Sequence, residues 1–482
     1  MDKFLYDLLG VRDRLIMDPV HGAITLFEHE VRVIDHPLFQ RLRHICQNDI
    51  LSLVFPGATH SRFLHSIGVM HVGHKMFRGL MESCMRRHRI TQASSSLPLA
   101  SIDFFNKLTR LACLLHDCGH SSFSHQFSKV PSIAAMLGTS EPFQRLWAQA
   151  NISDKDMTAL YPAPPDKLEH EHYSVRCAWE ILHSQNAEKS PFSALDVSAL
   201  METTAGAVTP EFARHAELIW PLLSGSTETP EQPERHIVRL LRLIVSGEID
   251  ADRADYMLRD GFHSSVTIGG FNLDHLLKNL HVGWDPESNW MGLAITPKGL
   301  GALEDFVYSR HQMYRKVYGH KTSIGFDWLL RQAMEEVIGQ PDVGEYVRSC
   351  LTDINEFCYL TDNYFWEQFR LLARKQPKSY SQMMINRVRP HHLHTQESTE
   401  TIDQESIKIM LAERHDLKPE QVVCCALKAR FSKIKGAYED IKVMQKPSDP
   451  ERTRPQYVRI GEVSNFFHKF EDETIAHFYR KP

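Results

Sequence analysis

The chain has 482 residues, 42% of them hydrophobic and 24% charged, with a formal net charge of −5. That is ordinary globular composition, and the slight acidity excludes the broad basic surface of a general nucleic-acid coating protein. Nine scattered cysteines without a CxxC pair exclude a secreted disulfide framework. The absence of a leader-like apolar core or a run of about 18 apolar residues gives the expectation of a soluble, cytoplasmic protein with no membrane partner.

In chain order, Val31, Ile34, Leu38, Leu42 and Ile45 recur at helical steps, which predicts helix over 30–50 with a break at Asp35-His36-Pro37. The same period predicts a helix from Phe63 to Met85, followed by a serine-rich loop from Thr91 to Ser101. Lys107 to Cys118 reads as an apolar helix that delivers His116 and Asp117, and Tyr161 to Pro165 reads as a linker. Helices are expected over His170–His183, Ile237–Val245 and Gly299–Gly319, with a loop over Ser224–Pro233. Further on, β-branched alternation predicts strands over Glu420–Phe431 and Gln456–Val463. Between Lys428 and Arg459 there are nine Lys or Arg against four Asp or Glu. The fold class expected is mainly α: a helical bundle over 1–340 and an α+β region over 341–482 suited to oligomerisation or regulation.

The chemistry concentrates in four separated stretches: Arg62-Phe63-Leu64-His65-Ser66, His116-Asp117, Gly119-His120 with His125, and Asp250-Ala251-Asp252-Arg253. A neutral imidazole beside a carboxylate at the end of a buried helix suits a borderline divalent metal. Three imidazoles and a carboxylate within ten residues gain nothing from packing unless a metal or ligand satisfies them. Asp250 and Asp252 follow an apolar helix, where two acids at a helix C-terminus are unfavourable and a divalent ion would offset the cost.

These residues carry a resemblance. Phe55 to Val69, His116 to His125, Gly247 to Asp260 and His311 to Lys321 resemble, in order and spacing, four blocks of the HD-domain deoxynucleoside triphosphate triphosphohydrolases. The similarity spans most of 14–330 and implies an HD-domain bundle. It is nearest to the animal enzymes, without the sterile-alpha-motif domain that precedes theirs. It implies that His65, His116, Asp117 and Asp252 hold one divalent metal (Fe, Mn, Zn or Mg), with Mg accompanying the substrate phosphates. It further implies that His120 and His125 serve the reaction, His125 as the acid or water-positioning group. Arg62, His170, Arg253, Tyr256 and Arg310 would grip phosphates, and Gln47, Asp260 and Tyr318 would surround the sugar. The activity implied is hydrolysis of a dNTP to deoxynucleoside and inorganic triphosphate.

Relatives activated by nucleotides bind a guanine nucleotide at a subunit contact. Asp35, Gln40 and Arg43, with Arg14 on a phosphate, fall on the matching positions, which implies GTP or dGTP as effector and a homo-oligomer, dimer or tetramer. Against the family pattern, Ser128 stands where an acid would orient His125, and Asn48 stands where a Leu helps exclude a ribose 2′-hydroxyl. Asp49-Ile50-Leu51-Ser52-Leu53 replaces an aromatic, glycine-rich turn. The competing readings are another HD-superfamily phosphohydrolase, acting on a ribonucleotide or a phosphodiester, and a non-catalytic nucleotide- or nucleic-acid-binding scaffold. The basic stretch after Lys428 is compatible with nucleic acid but does not require it.

Overall fold

The structure is a computed structural model that describes residues 14–88, 97–184, 192–201, 207–268, 270–429, 441–446, 455–469 and 471–482. Seven helices frame the site: α1 (Arg62–Arg87), α2 (Leu99–Leu115), α3 (His170–Ser184), α4 (Pro233–Val245), α5 (Ala251–Ser264), α6 (Leu300–Met313) and α7 (Lys321–Ile338). Helix α2 is apolar almost all round, with Ile102, Phe105, Leu108, Leu111, Ala112 and Leu115 buried, so it runs through the middle of the bundle. Each of the Ile, Leu and Phe side chains among them contributes roughly 1.5–3 kcal/mol on leaving water. Helix α1 packs along it through Ile67, Met70, Val72, Phe77 and Leu80.

Three small sheets surround the bundle. The hairpin β1 (Arg14–Asp18) and β2 (Gly22–Leu26) lies beside α1 and α2. β3 (Leu280–Asp285) and β4 (Trp290–Ile295) form a second hairpin. β5 (His391–Ser398), β6 (Val422–Ala429), β7 (Ile441–Gln445), β8 (Gln456–Arg459) and β9 (Glu473–Arg480) follow. β4 pairs in parallel with β7, Leu293 opposite Ile441, giving the order β3-β4-β7-β8, while β9 lies between β5 and β6. One hydrophobic core runs from Ile24 to Tyr479. The sheet β3-β4-β7-β8 and this core both join residues on the two sides of position 340.

Several expected elements shift. The 30–50 segment breaks at the predicted place into helix Glu28–Ile34 and helix Pro37–Gln40, but ends in a 3₁₀ turn at Arg41–His44. Helix α2 starts at Leu99, inside the expected loop, and 91–96 of that loop lie outside the described residues. His116 and Asp117 therefore follow α2 in a turn and are not carried on it. Helix α6 stops at Met313 and passes into a π-helical turn, Tyr314–Tyr318. The strand expected to end at Phe431 is described to Ala429, and the last predicted strand gives way at Ile460 to a helical turn. The β1–β2 and β3–β4 hairpins were not anticipated; short strands with mixed burial carry a weak sequence period.

Candidate metal centre

His65 lies in the first turn of α1, fully buried, and its position is fixed through Nδ1, which donates to Asp255 Oδ2 at 2.8 Å. The opposite nitrogen, Nε2, lies 3.0 Å from Asp252 Oδ1 and 3.7 Å from Asp117 Oδ2. His116, in the turn after α2, donates from Nδ1 to the Cys113 carbonyl at 2.8 Å. That bond sets the tautomer and leaves the Nε2 lone pair directed away from the helix. His116 Nε2 is buried with no hydrogen-bond partner, 3.4 Å from Asp117 Oδ1 and 3.7 Å from Asp252 Oδ1. Two imidazole nitrogens and two carboxylates thus face one another, and an orphaned buried nitrogen among them is what a cation would satisfy. The ligand atoms of His65, His116 and Asp117 all lie within 4.8 Å of one another. This donor set fits a divalent ion of borderline softness.

The helix that supplies Asp252 begins at an N-cap, Asp250, whose Oδ1 accepts from Arg253 N at 2.7 Å while Oδ2 accepts from Gly247 N at 2.8 Å and from the Arg253 guanidinium at 2.6 Å. This corrects the expectation that these acids burden the end of the preceding helix. They stand at the N-terminus of α5, where the helix dipole and free N–H groups favour them. Asp255, three residues on, was not anticipated; it accepts from His65, from His21 Nε2 at 2.6 Å and from Arg259 at 2.8 and 2.9 Å. The Asp252–Asp255 spacing on one helix face is the signal that could have found it. Arg259 in turn donates to Asp18 of β1 at 2.8 Å, which ties the hairpin to the back of the site.

The electrostatics follow from these contacts. Burial works against charge on His65, but the bonds from Asp252 and Asp255 push it up to about 10. Burial alone would raise Asp117, yet His116, Arg62 and His120 hold its carboxyl well below the usual range. Asp252 is likewise held down, against its burial, by His116 and His65. Burial, Arg62 and His170 keep His120 well below its ordinary value, and the same three causes bring His125 down to about 3. His125 is therefore a neutral imidazole in this site.

Beside the donors opens a cavity of about 960 Å³. Asp117 and Asp252 reach it, and so does every other residue expected to act on phosphate or sugar: Arg62, His120, His125, His170, Arg253, Tyr256, Arg310, Gln47, Asp260 and Tyr318. Arg62 bonds Asp117 and donates from Nε to Ser124 Oγ at 2.7 Å. The His120 ring stacks on His170 at 3.8 Å and meets His125 edge-on at 5.0 Å. The HD turn reaches this close to α3 because position 119 is glycine: a Cβ there would lie 2.1 Å from Ser174 N and 2.3 Å from His170 O. Asp260 accepts from Tyr318 OH and pairs with His60 Nε2 at 2.8 Å. The sequence reading missed Tyr314, Lys129, Asp327, Arg331 and the β6 segment Val423–Leu427, all of which line the cavity. They come from a π turn, a loop, α7 and a strand that share no motif.

The four effector candidates lie elsewhere. Arg43 donates from Nε to Gln40 Oε1 at 2.7 Å and stacks its guanidinium over Phe63 at 3.5 Å. Both line a separate pocket of about 550 Å³ with His36, Arg41 and Tyr359. Arg14 and Asp35 form an exposed ion pair of 3.6 Å and are not among the residues lining that pocket.

Residues 62–154 match the HD domain family. The chain is 27% identical over 379 residues to human deoxynucleoside triphosphate triphosphohydrolase SAMHD1, covering 76% of this chain and 51% of that protein. The chain is an HD-domain protein, homologous over most of its length to that triphosphohydrolase. It is also 26% identical over 377 residues to the uncharacterized protein MJ1154 of Methanocaldococcus jannaschii, covering 77% of this chain and 61% of that one. The chain thus spans about half to two thirds of the length of the curated relatives it matches. A crystal structure of a hypothetical protein from Aquifex aeolicus shares the fold of this HD-domain protein, with a TM-score of 0.60 and 22% identity over 97% of this chain and 96% of that one. Among the described residues no helix is long and apolar enough to cross a membrane.

Proposed function

We propose that this HD-domain protein is a metal-dependent phosphohydrolase that cleaves deoxynucleoside triphosphates to deoxynucleoside and inorganic triphosphate. The observation that carries the reading is the convergence of His65, His116, Asp117 and Asp252, the two carboxylates of which reach a cavity also lined by Arg62, Arg253 and Arg310. These four residues would hold a divalent ion (iron, manganese, zinc or magnesium), which would supply Lewis-acid polarisation of a phosphoryl oxygen at the reacting phosphorus, and magnesium would accompany the substrate phosphates. The three arginines balance the charge of the polyphosphate, and His120 and His170 line its path. Water attacks the α-phosphorus, the bond to the 5′-oxygen breaks, and that oxygen takes up a proton. His125, neutral before substrate arrives, positions the water. The negative charge of the bound polyphosphate raises its pKa, so that the ring takes the proton released by the attacking water and delivers it to the 5′-oxygen.

Gln40 and Arg43 in the second pocket, with Asp35 and Arg14 beside it, are the proposed site for GTP or dGTP, whose binding assembles the chain into a cytoplasmic homo-oligomer. If GTP neither increases the mass seen by light scattering nor speeds turnover, that part of the proposal fails.

The principal test is Asp117→Ala. The expected result is loss of bound metal and loss of triphosphate release, with the far-UV circular dichroism of the parent protein kept. Turnover that persists with no metal bound would refute the centre. Incubation with each dNTP, followed by identification of triphosphate or diphosphate among the products, separates this reaction from other phosphohydrolyses of the same site.

A further inference from the structure

Helix α7 turns one face to the 960 Å³ cavity, where Ile324, Asp327, Trp328 and Arg331 line it beside the β6 segment. The metal, the polyphosphate and the sugar, as placed above, use none of these residues. Asp327 and Arg331 are four residues apart, the spacing at which opposite charges on a helix ordinarily close on each other. Here they form no ion pair. Arg331 donates instead to Gln126 Oε1 at 2.5 Å from one terminal nitrogen, and its other terminal nitrogen lies 3.9 Å from Cys425 Sγ. Asp327 is half-buried, faces the cavity, and has no hydrogen bond or ion pair among the described residues. Burial and the nearby Asp49 push its carboxyl up to about 7, against Arg331 and Lys129. A carboxylate short of donors and a guanidinium with N–H groups to spare thus stand one helical turn apart on the cavity wall.

Resting on the proposed hydrolysis of a deoxynucleoside triphosphate here, we infer that Asp327 and Arg331 read the base, and that the preferred substrate carries guanine. The π turn ends at Tyr318, placed at the sugar, and α7 begins at Lys321, so the wall that continues from the sugar is the α7 face. Guanine presents two adjacent donors, N1–H and the N2 amine, to the two oxygens of one carboxylate, with the O6 acceptor beside them for an arginine. Adenine and cytosine set a ring-nitrogen acceptor next to their amine, where it faces a carboxylate oxygen unfavourably. Thymine flanks its single N–H with two carbonyl oxygens. Asp327 is the residue that separates the bases, because it alone of the pair asks for two donors.

The test measures kcat/KM for dGTP, dITP, dATP, dCTP and TTP on the metal-loaded full chain, with Asp327→Asn and Arg331→Gln in parallel. The parent protein is expected to favour dGTP at least about tenfold over dATP, dCTP and TTP, with dITP, which lacks the N2 amine, in between. Asp327→Asn should lower dGTP at least about tenfold, leave dATP within about twofold, and bring dGTP and dITP together. Arg331→Gln should lower dGTP and dITP by the same factor, because both carry O6. General damage to the fold would instead lower every substrate alike. Equal turnover of the four natural bases, or an Asp327→Asn loss shared by all of them, overturns this inference and leaves the proposed hydrolysis standing. Release of triphosphate from none of them overturns both.

Discussion

Gly68 shows how tightly the centre is fixed at the level of single atoms. It lies on the face of α1 that meets α5, and a Cβ there would stand 2.0 Å from Asp255 Oδ1 and 2.3 Å from the Arg259 guanidinium. Those two groups hold the His65 ring from behind, so the smallest side-chain addition reaches the metal site indirectly. Gly68→Ala is expected to destabilise the fold by roughly 1–3 kcal/mol through overpacking and to weaken metal retention about 10–100-fold by loosening the His65 support. Thermal denaturation and metal titration measure the two effects; an alanine variant that melts and binds metal as the parent does would contradict the geometry. A second residue sets a pH dependence. Burial and the nearby Asp49 push Asp327 up to about 7, against the pull of Arg331 and Lys129. A carboxyl raised in the folded state adds stability that is complete below about pH 4 and is lost as pH climbs through 7. Asp327→Asn does not undergo that loss, so its melting temperature relative to the parent should rise between pH 5 and pH 8. A gap that stays constant over this range would show that Asp327 titrates normally.

At the scale of elements, the junction between α4 and α5 does most to place the acids. Helix α4 is amphipathic, with Ile237, Leu240, Leu241 and Ile244 buried, and it ends at Val245. Asp250 then caps α5 and fixes the loop back to Gly247, so that Asp252 emerges from the first turn of α5 facing the histidines. Removing the cap as Asp250→Ala is expected to cost about 1–2 kcal/mol and to lower metal affinity, because the first turn of α5 carries a ligand. Urea denaturation and metal analysis test this, and an unchanged midpoint would argue against the cap. The π turn after α6 is a second such device. The wider turn carries Tyr314 and Tyr318 to the cavity wall, in a position common for functional side chains.

At the scale of the whole molecule, the C-terminal part belongs to the same folded unit as the bundle. β7 pairs with β4, Asp362 accepts the Cys46 N–H at 2.8 Å and the Phe123 N–H at 2.7 Å, and β6 lines the cavity that Asp117 and Asp252 also reach. A chain cut after residue 340 is therefore expected to lose the cooperative melt of the parent protein, since it removes part of a shared core. A soluble fragment with a sharp, parent-like transition would overturn that view. By itself the sequence determined the main helices and the His-Asp, Gly-His and Asp-x-Asp-Arg clusters, because apolar periodicity and such clusters are local patterns, and the family resemblance carried by those clusters brought forward the four metal candidates. Only the tertiary structure decided that Asp250 is a cap, that Asp255 orients His65, and that Asp49, Asp327, Arg331 and β6 share one cavity. Those relations join residues tens to hundreds of positions apart or turn on a loop's dihedral angles, and no spacing along the chain encodes them.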